Sequence, residues 1–258
     1  MSRIQDAFQN KKAFIPFITA GDPTLAKTKE YILQMAAAGA DLIEIGLPFS
    51  DPIAEGPVIQ EADIRALASG TTTDKVLEMV AELKGEITIP LVFMTYLNPV
   101  FHYGYETFFA RCQEVGICGI IIPDLPYEEK EEVLEVADKY QVELVSMVAP
   151  TSAKRIREIA VSAKGFLYVV SSLGVTGVRS EIKTDIESII KEIRQVTDLP
   201  CAVGFGINTP EQAARIARHA DGVIVGSGIV DLIAKYGDTA GEAVYQYVKE
   251  MKEAIIRL

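Results

Sequence analysis

Short apolar segments alternate with amphipathic segments along the whole of this 258-residue chain. Most of the apolar segments are rich in Val and Ile and lack a polar residue at every second position, as is typical of parallel strands covered on both faces. This pattern predicts eight strands, joined by segments with helical spacing of apolar residues. The predicted strands span 13–20, 41–47, 91–96, 119–124, 143–149, 166–171, 201–206 and 222–226.

The segments between these strands predict helices, and glycines 39 and 116 lie where helix ends are expected. The dipeptide Thr209-Pro210 is a helix cap followed by proline at the first helical position. The predicted helices span 24–38, 59–68, 73–84, 105–115, 127–140, 152–163, 183–196, 209–219, 227–235 and 239–257. No linker or change of composition divides the chain.

A strict alternation of this length favours a single (β/α)₈ TIM barrel with extra short helices, one domain covering residues 1–258. The alternative is an open, Rossmann-like doubly wound sheet. That fold is disfavoured because the first strand is followed by Gly21-Asp22-Pro23 and not by the glycine fingerprint of a dinucleotide site.

One carboxylate, Glu44, lies inside an apolar predicted strand. Alternate strand residues share a face, so Leu42, Glu44 and Gly46 point one way while Ile43 and Ile45 point the other. Burial of an unpaired carboxylate raises its pKa and suits it to both donate and accept a proton near neutral pH. Glu44 could instead be a structural carboxylate paired with a cation, but the predicted strands carry no interior Lys or Arg. The same absence excludes a Schiff-base lysine on a strand.

Glycines recur at the carboxyl ends of the last three predicted strands, where catalytic loops of a barrel lie. They occur in the loop after strand six, in Gly204-Phe205-Gly206 and in Gly226-Ser227-Gly228. Glycine lets the backbone approach an anion closely, and Ser227 could cap a short helix whose N-terminus favours negative charge. The three turns therefore predict a phosphate site.

Large apolar residues are predicted to face the same barrel mouth from several strands. If they do, they form an apolar slot for a flat aromatic ring beside the phosphate, although each residue alone could equally be core packing. The predicted slot residues are Phe17, Met94, Ile121, Tyr168 and Phe205.

Composition narrows the class of ligand. The formal net charge of −11 and the lack of a clustered basic face argue against nucleic acid but not against a small phosphorylated substrate. Three cysteines without a C-x-x-C pair and only two histidines predict buried free thiols and no metal site. The N-terminus lacks the apolar core of a signal peptide and no apolar run is long enough to span a bilayer, so we expect a cytoplasmic protein.

Taken together, these motifs resemble the alpha subunit of tryptophan synthase over essentially the whole chain. The matching segments, in order, are Phe14–Pro23, Glu44–Gly56, Thr95–Pro99, Pro123–Pro126, Gly174–Gly177 and Gly204–Gly206. The resemblance implies a TIM barrel that cleaves indole-3-glycerol phosphate to indole and glyceraldehyde 3-phosphate in tryptophan biosynthesis, without a cofactor. It also implies a pyridoxal-phosphate-dependent beta subunit as partner, in an alpha-beta-beta-alpha heterotetramer.

The resemblance also assigns roles to residues. Glu44 matches the catalytic glutamate, and Glu55 matches a second catalytic carboxylate that is usually an aspartate, so its side chain is one methylene longer here. The residues implied to contact the substrate are Phe17, Ile59, Met94, Ile121, Tyr168, Thr176 and Phe205. Those implied to bind its phosphate are Gly177, Gly206, Gly226 and Ser227, and those implied at the beta-subunit interface are Asp51, Pro52, Asn98 and Pro99.

Three other functions remain open on the sequence. A stand-alone indole-3-glycerol phosphate lyase would run the same chemistry without a beta partner. A non-catalytic barrel that only activates the partner is suggested by the change to glutamate at position 55. A phosphoribosyl isomerase would need paired aspartates on strands one and five, where this chain has Ile15 or Phe17 and Ser146 or Val148.

Overall fold

The computed structural model describes residues 3–171 and 185–257 of the chain. Nine parallel strands form one sheet in the order β5-β4-β3-β2-β1-β9-β8-β7-β6. The strands are β1 (Ala13–Thr19), β2 (Ile43–Gly46), β3 (Leu91–Met94), β4 (Gly119–Ile121), β5 (Glu143–Leu144), β6 (Ser146–Val148), β7 (Leu167–Val170), β8 (Cys201–Gly204) and β9 (Gly222–Val225).

The two ends of this order, β5 and β6, are separated along the chain by Val145 alone. They are the two halves of the predicted fifth strand: β5 pairs with β4, and β6 pairs with β7. The sheet is thus a nearly closed barrel, and the predicted (β/α)₈ fold is confirmed over the open Rossmann-like sheet.

Helices surround the barrel. They are α1 (Arg3–Asp6), α2 (Leu25–Ala37), α3 (Pro57–Ala68), α4 (Thr73–Leu83), α5 (Leu97–Tyr103), α6 (Tyr105–Val115), α7 (Glu131–Lys139), α8 (Ala153–Val161), α9 (Ile186–Arg194), α10 (Pro210–Ala217), α11 (Ser227–Tyr236) and α12 (Gly241–Ile256). Two 3₁₀ turns, Tyr127–Glu129 and Gly237–Thr239, precede α7 and α12. None of the described helices combines the length and apolar character needed to cross a membrane.

Two helices differ from the sequence prediction. Helix α1 was not predicted, yet Ile4 and Phe8 from this end of the chain join the apolar cluster inside the barrel, where Phe8 lies 5.6 Å from Phe166 between ring centroids. Helix α5 falls between the predicted strand 91–96 and the predicted helix 105–115, where no element was predicted. Proline is compatible with the first turn of a helix, and Pro99 is the third residue of α5.

Several predicted strands were too long at their carboxyl ends. Residues 95–96, 122–124, 171 and 205–206 leave the strands and form loops at one end of the barrel. Helix α3 begins at Pro57, two residues before the predicted start, with Gly56 as its N-cap. The caps predicted at Gly116 and Thr209 are confirmed: Gly116 has φ +89°, and the Thr209 side chain accepts a hydrogen bond from the Gln212 N–H.

The core has two main layers. Ile43 and Ile45 of β2 lie in the outer cluster between sheet and helices, whereas Leu42 lies in the cluster inside the barrel. The predicted facing of this strand is therefore confirmed. Glu44 shares the inner face with Leu42, which brings a carboxylate into the barrel.

Candidate active site

A pocket opens at the carboxyl ends of the strands. The space within it, including the part open to solvent, is roughly 620 Å³. Both candidate carboxylates, Glu44 and Glu55, line it. Its remaining lining residues are Phe17, Ala54, Ile59, Met94, Pro123, Tyr168, Phe205, Gly206, Ile207, Asn208, Ile224, Gly226 and Ser227.

Glu44 reaches this pocket from the middle of β2, paired in register with Phe17 of β1 and Val92 of β3. Its side chain is buried, and its Oε1 atom has no hydrogen-bond partner among the described residues. Burial, with a smaller contribution from the nearby Glu55 carboxylate, raises the pKa of Glu44 to about 8. No described Lys or Arg forms an ion pair with it, so the interpretation as a salt-bridged structural carboxylate is not supported.

Glu55 reaches the pocket from the loop before α3, and its position depends on side-chain contacts. The Tyr96 hydroxyl donates to Glu55 Oε2, and the Gln60 Nε2 donates to the Glu55 carbonyl oxygen at 2.8 Å. Burial raises the pKa of Glu55 to about 7, its own backbone N–H opposes this shift, and the Asp124 carboxylate adds to it. The two carboxyls therefore titrate close to neutral pH.

Asp63 on α3, a further buried carboxyl near Glu55, was not singled out in the sequence. Burial raises its pKa to about 8, with further contributions from Glu55 and Asp22, while the Phe49 backbone N–H opposes the shift. The helical spacing gave no signal for it, because an aspartate within an amphipathic helix is usually solvated. Asp22 itself is paired with Arg65 through two hydrogen bonds of 2.7 and 2.8 Å.

Aromatic rings form the walls of the pocket, and glycines on neighbouring strands make space for them. A Cβ atom on Gly46 would lie 2.6 Å from the Phe17 ring, and one on Gly204 would lie 2.4 Å from the Tyr168 hydroxyl. Tyr168 packs edge-on against Phe205, with 6.1 Å between ring centroids. These glycines are thus needed for packing, and Gly204 also lies in one of the turns predicted to bind phosphate.

The turn after β8 has an unusual backbone. Phe205 has φ +76° and Gly206 has φ +79°, and a left-handed phenylalanine is rare. The Ser171 hydroxyl donates to the Phe205 carbonyl oxygen, which holds this turn in place. Residues with such strained backbones concentrate at functional sites.

The start of α11 differs in one detail from the sequence prediction. Ser227 is the first helical residue, and Gly226 is the N-cap without a side-chain hydrogen bond, so Ser227 is not the cap. Gly226 and Ser227, at the start of α11, line the pocket together with Gly206 and Asn208. Because the first N–H groups of a helix have no partner within the helix, this part of the pocket is suited to an anion.

Most of the predicted site residues are brought together. Phe17, Ile59, Met94, Tyr168 and Phe205 line the pocket, as do three of the predicted phosphate residues, Gly206, Gly226 and Ser227. Ile121 is an exception, because it is fully buried inside the barrel and does not line the pocket. Thr176 and Gly177 lie outside the described residues. Pocket residues that the sequence did not indicate are Ala54, Pro123, Ile207, Asn208 and Ile224.

The predicted partner segments lie at the protein surface. Asp51 and Asn98 are exposed, and Pro52 and Pro99 are half-buried. Each segment also carries a large exposed apolar side chain, Ile53 at 76% and Phe101 at 67% exposure.

Cysteines, strand lysines and clusters of metal ligands are the other groups that could carry chemistry. The three cysteines are free and buried, as predicted. The nine described strands contain no lysine, so no strand residue can form a Schiff base. Within residues 3–171 and 185–257, no group of three His, Cys, Asp or Glu side chains is arranged to hold a metal ion.

Comparisons with known proteins identify the family. The family model described as tryptophan synthase alpha chain matches residues 4–256. The tryptophan synthase alpha chain of Lacticaseibacillus casei is 48% identical over 99% of this chain and 96% of its own length, and that of Lactiplantibacillus plantarum is 47% identical over 99% and 97%.

Solved structures give the same result. The tryptophan synthase alpha chain of Legionella pneumophila superposes with a TM-score of 0.88 at 38% identity, over 99% of this chain and 97% of that one. A chain of the tryptophan synthase complex of Pyrococcus furiosus superposes with a TM-score of 0.85 at 34% identity, over 93% and 98%. This chain belongs to the tryptophan synthase alpha chain family, the lyases that cleave indole-3-glycerol phosphate in tryptophan biosynthesis.

Proposed function

We propose that Glu44 is the general acid and base of the cleavage of indole-3-glycerol phosphate. The observation that carries this proposal is a buried strand carboxyl without a cation partner, which lines the pocket and has its pKa raised to about 8. A carboxyl with such a pKa is protonated at neutral pH, as an acid must be. Its carboxylate form then accepts a proton readily.

Glu44 alone can both donate and accept the proton that the cleavage requires. Glu44 gives a proton to C3 of the indole ring, and the positive charge spreads to the indole nitrogen. As the carbon–carbon bond breaks, its electrons neutralise the ring, and the hydroxyl on the departing glycerol carbon loses its proton to Glu44. Indole and glyceraldehyde 3-phosphate are formed, and Glu44 returns to its protonated state without a cofactor in this chain.

Glu55 stabilises the positive charge that develops on the indole nitrogen. In its ionised form it accepts a hydrogen bond from the indole N–H, and this bond strengthens as the ring becomes positive. Because burial raises its pKa to about 7, Glu55 is ionised above that pH. We therefore expect kcat/KM to fall below about pH 7, where Glu55 is protonated, and above about pH 8, where Glu44 is ionised.

The rest of the pocket orients the substrate. The phosphate binds at the rim formed by Gly206 and the start of α11, where N–H groups and the helix dipole favour an anion. The indole ring lies between Phe17 and the Tyr168–Phe205 pair, within reach of both carboxylates. Thr176 and Gly177 are proposed to complete the site.

The chain acts with a partner. We propose that a pyridoxal-phosphate-dependent beta subunit docks on the surface around Asp51, Pro52, Asn98 and Pro99, in an alpha-beta-beta-alpha heterotetramer. The exposed Ile53 and Phe101 beside these segments would be its apolar anchors. Indole released in the pocket would then pass to that subunit, and docking would stimulate the cleavage.

The test is product release from indole-3-glycerol phosphate by the purified chain, alone and with a compatible beta subunit. We expect slow release alone, strong stimulation by the partner, and a loss of at least about 100-fold in Glu44→Gln. Glu250→Gln, an exposed glutamate on α12, is the matched control and should leave the rate unchanged.

Each other outcome points to a different function. Fast release by the chain alone, without stimulation, would indicate a stand-alone lyase. No release under either condition, together with activation of the partner, would indicate a non-catalytic barrel. An unchanged rate in Glu44→Gln would remove Glu44 from the mechanism.

A further inference from the structure

Tyr96 forms hydrogen bonds to both Ala54 and Glu55, although the sequence motifs assigned no role to its side chain. Its side chain is buried, at 3% exposure. Its hydroxyl donates to Glu55 Oε2 and accepts a hydrogen bond of 2.8 Å from the Ala54 backbone N–H. One phenol therefore contacts both the backbone of the Glu55 loop and the carboxylate that this loop carries.

The direction of the two hydrogen bonds of the Tyr96 hydroxyl follows from which groups carry protons. The phenol oxygen accepts the Ala54 N–H, and its single proton is directed to Glu55. A hydrogen bond donated to a carboxylate stabilises the ionised form. Tyr96 thus favours the form of Glu55 that can accept a hydrogen bond from a substrate N–H.

Glu55 needs such support because a loop carboxylate on a long side chain has many conformations to lose. It lies in a loop, one residue before the Gly56 cap of α3, so no strand ladder fixes its backbone. Its side chain also has one more rotatable bond than an aspartate, and an error of about 1 Å in a catalytic group can cost about a hundredfold in rate. The phenol removes much of this freedom.

Tyr96 is itself held on both sides. It occupies the N-cap position of α5, where the next residue, Leu97, donates its N–H to the Asp124 carboxylate at 2.9 Å. Its ring packs against Phe49, with 5.4 Å between centroids. The loops after β2 and β4 therefore fix the phenol, and the phenol fixes Glu55.

We propose that Tyr96 is a positioning residue that holds the Glu55 carboxylate toward the substrate pocket by bridging it to the Ala54 backbone. This inference rests on the proposed function, because it gives Glu55 a part in the reaction. Other titratable groups lie near Glu55 on neighbouring strands, helices and loops, and the test leaves all of them unaltered. They are Glu44 on β2, Asp63 on α3, Asp124 after β4 and Tyr168 on β7.

The test is Tyr96→Phe, assayed as the complex with the beta subunit. Loss of the phenol should lower kcat about 10-fold to 100-fold, change KM less than about threefold, and move the acidic limb of the pH–rate profile upward. Tyr103→Phe is the matched control, because Tyr103 lies on the same helix and donates to Asp74, away from the pocket. Its pH profile should match that of the unaltered chain.

A double-mutant cycle separates positioning from a general structural role. In a Glu55→Ala background, Tyr96→Phe should cause little further loss, because the group on which it acts is already absent. An equal loss in both backgrounds would overturn the proposal. So would an unshifted acidic limb in Tyr96→Phe.

A second variant covers the case in which Tyr96→Phe fails to fold. Replacing Tyr96 with 3-fluorotyrosine keeps its shape and makes the phenol a stronger donor, so the acidic limb should move downward, and an unmoved limb would refute the bridge. Failure of the proposed function looks different: Glu44→Gln and Glu55→Ala would then retain full activity. If those two variants lose activity while Tyr96 changes have no effect, only the Tyr96 proposal is wrong.

Discussion

Glu44 lies in the middle of the four-residue strand β2, whereas Glu55 lies on the loop before α3, and both side chains face one pocket. The strand holds Glu44 through its backbone pairs with β1 and β3, and Oε1 of its carboxyl has no hydrogen-bond partner in the described part of the chain. The loop holds Glu55 through side chains, chiefly Tyr96 and Gln60. Oε1 of the carboxyl proposed to transfer the proton thus has no hydrogen-bond partner among the described residues, while the carboxylate proposed to stabilise charge is held by a phenol.

The largest expected effect comes from neutralising each carboxyl without changing its shape. Glu44→Gln removes the proton donor and should lower kcat about 1,000-fold. Glu55→Gln keeps a hydrogen-bond acceptor for the indole nitrogen but loses its charge, so the loss should be about 10-fold to 100-fold. Single-turnover rates of indole formation measure both. Equal losses would mean that the two carboxyls share one role.

The second effect concerns stability at different pH values. Folded Glu44 keeps its proton up to about pH 8, while its ordinary pKa is 4.5, so the unfolded chain releases that proton first. Rising pH therefore stabilises the unfolded state and weakens the fold across this window. Between about pH 5.5 and about pH 8 the free energy of unfolding should therefore fall by about 3 kcal/mol because of Glu44, and Glu44→Gln should remove this part of the fall.

Urea denaturation at those two pH values measures this difference, and comparing slopes cancels any fixed penalty of burying the amide. Glu250→Gln serves as the exposed control and should show the same pH dependence as the unaltered chain. If the free energy of unfolding of Glu44→Gln depended on pH as it does in the unaltered chain, the groups responsible would be Glu55 and Asp63 instead of Glu44.

A smaller effect is expected from shortening the loop carboxylate. Glu55→Asp moves the carboxylate one methylene back from the Tyr96 phenol, so kcat should fall about 10-fold. In this background Tyr96→Phe should cost less than it does in the unaltered chain. Steady-state kinetics of the complex measure both values. A higher kcat in Glu55→Asp would show that the longer side chain is merely tolerated.

The smallest effect should come from the other support of the loop. Gln60→Ala removes the hydrogen bond to the Glu55 carbonyl oxygen, a loss of about 1 kcal/mol that corresponds to roughly a fivefold drop in kcat/KM. The pH limbs should not move, because the carboxylate itself keeps its partner. Gln246→Ala, whose amide bonds Glu242 on the exposed face of α12, is the matched control. A shifted limb in Gln60→Ala would mean that the loop backbone sets the pKa of Glu55.

Local pattern was sufficient for much of the fold and for the burial of one proposed catalytic group. The alternation of apolar and amphipathic segments predicted the parallel barrel, because strand and helix periods are properties of neighbouring residues. The period of two also placed Glu44 on the inner face with Leu42. Its buried state followed from that face alone.

Helix α5 and the ends of the strands could not be predicted in the same way. Asn98 and Pro99 suit both a loop and a first helical turn, and the N–H of Leu97 is satisfied by Asp124, 27 positions away. Thr95 still donates its N–H to the Ile121 carbonyl oxygen of β4, but Tyr96 is already the N-cap of α5. Phe205 and Gly206 leave β8 because their backbones are left-handed, which a strand does not accommodate. The pairing of a strand end depends on the whole sheet.

The sequence by itself determined the barrel, the facing of Glu44 and the series of glycines at the strand ends, because each depends on residues close together in the chain. Only the tertiary structure decided that Tyr96 contacts Glu55, that Asp63 lies near Glu55, and that Gly46 and Gly204 make room for aromatic rings. These contacts join residues that are distant in sequence. Their energies depend on burial and distance, which exist only after the strands and helices have packed.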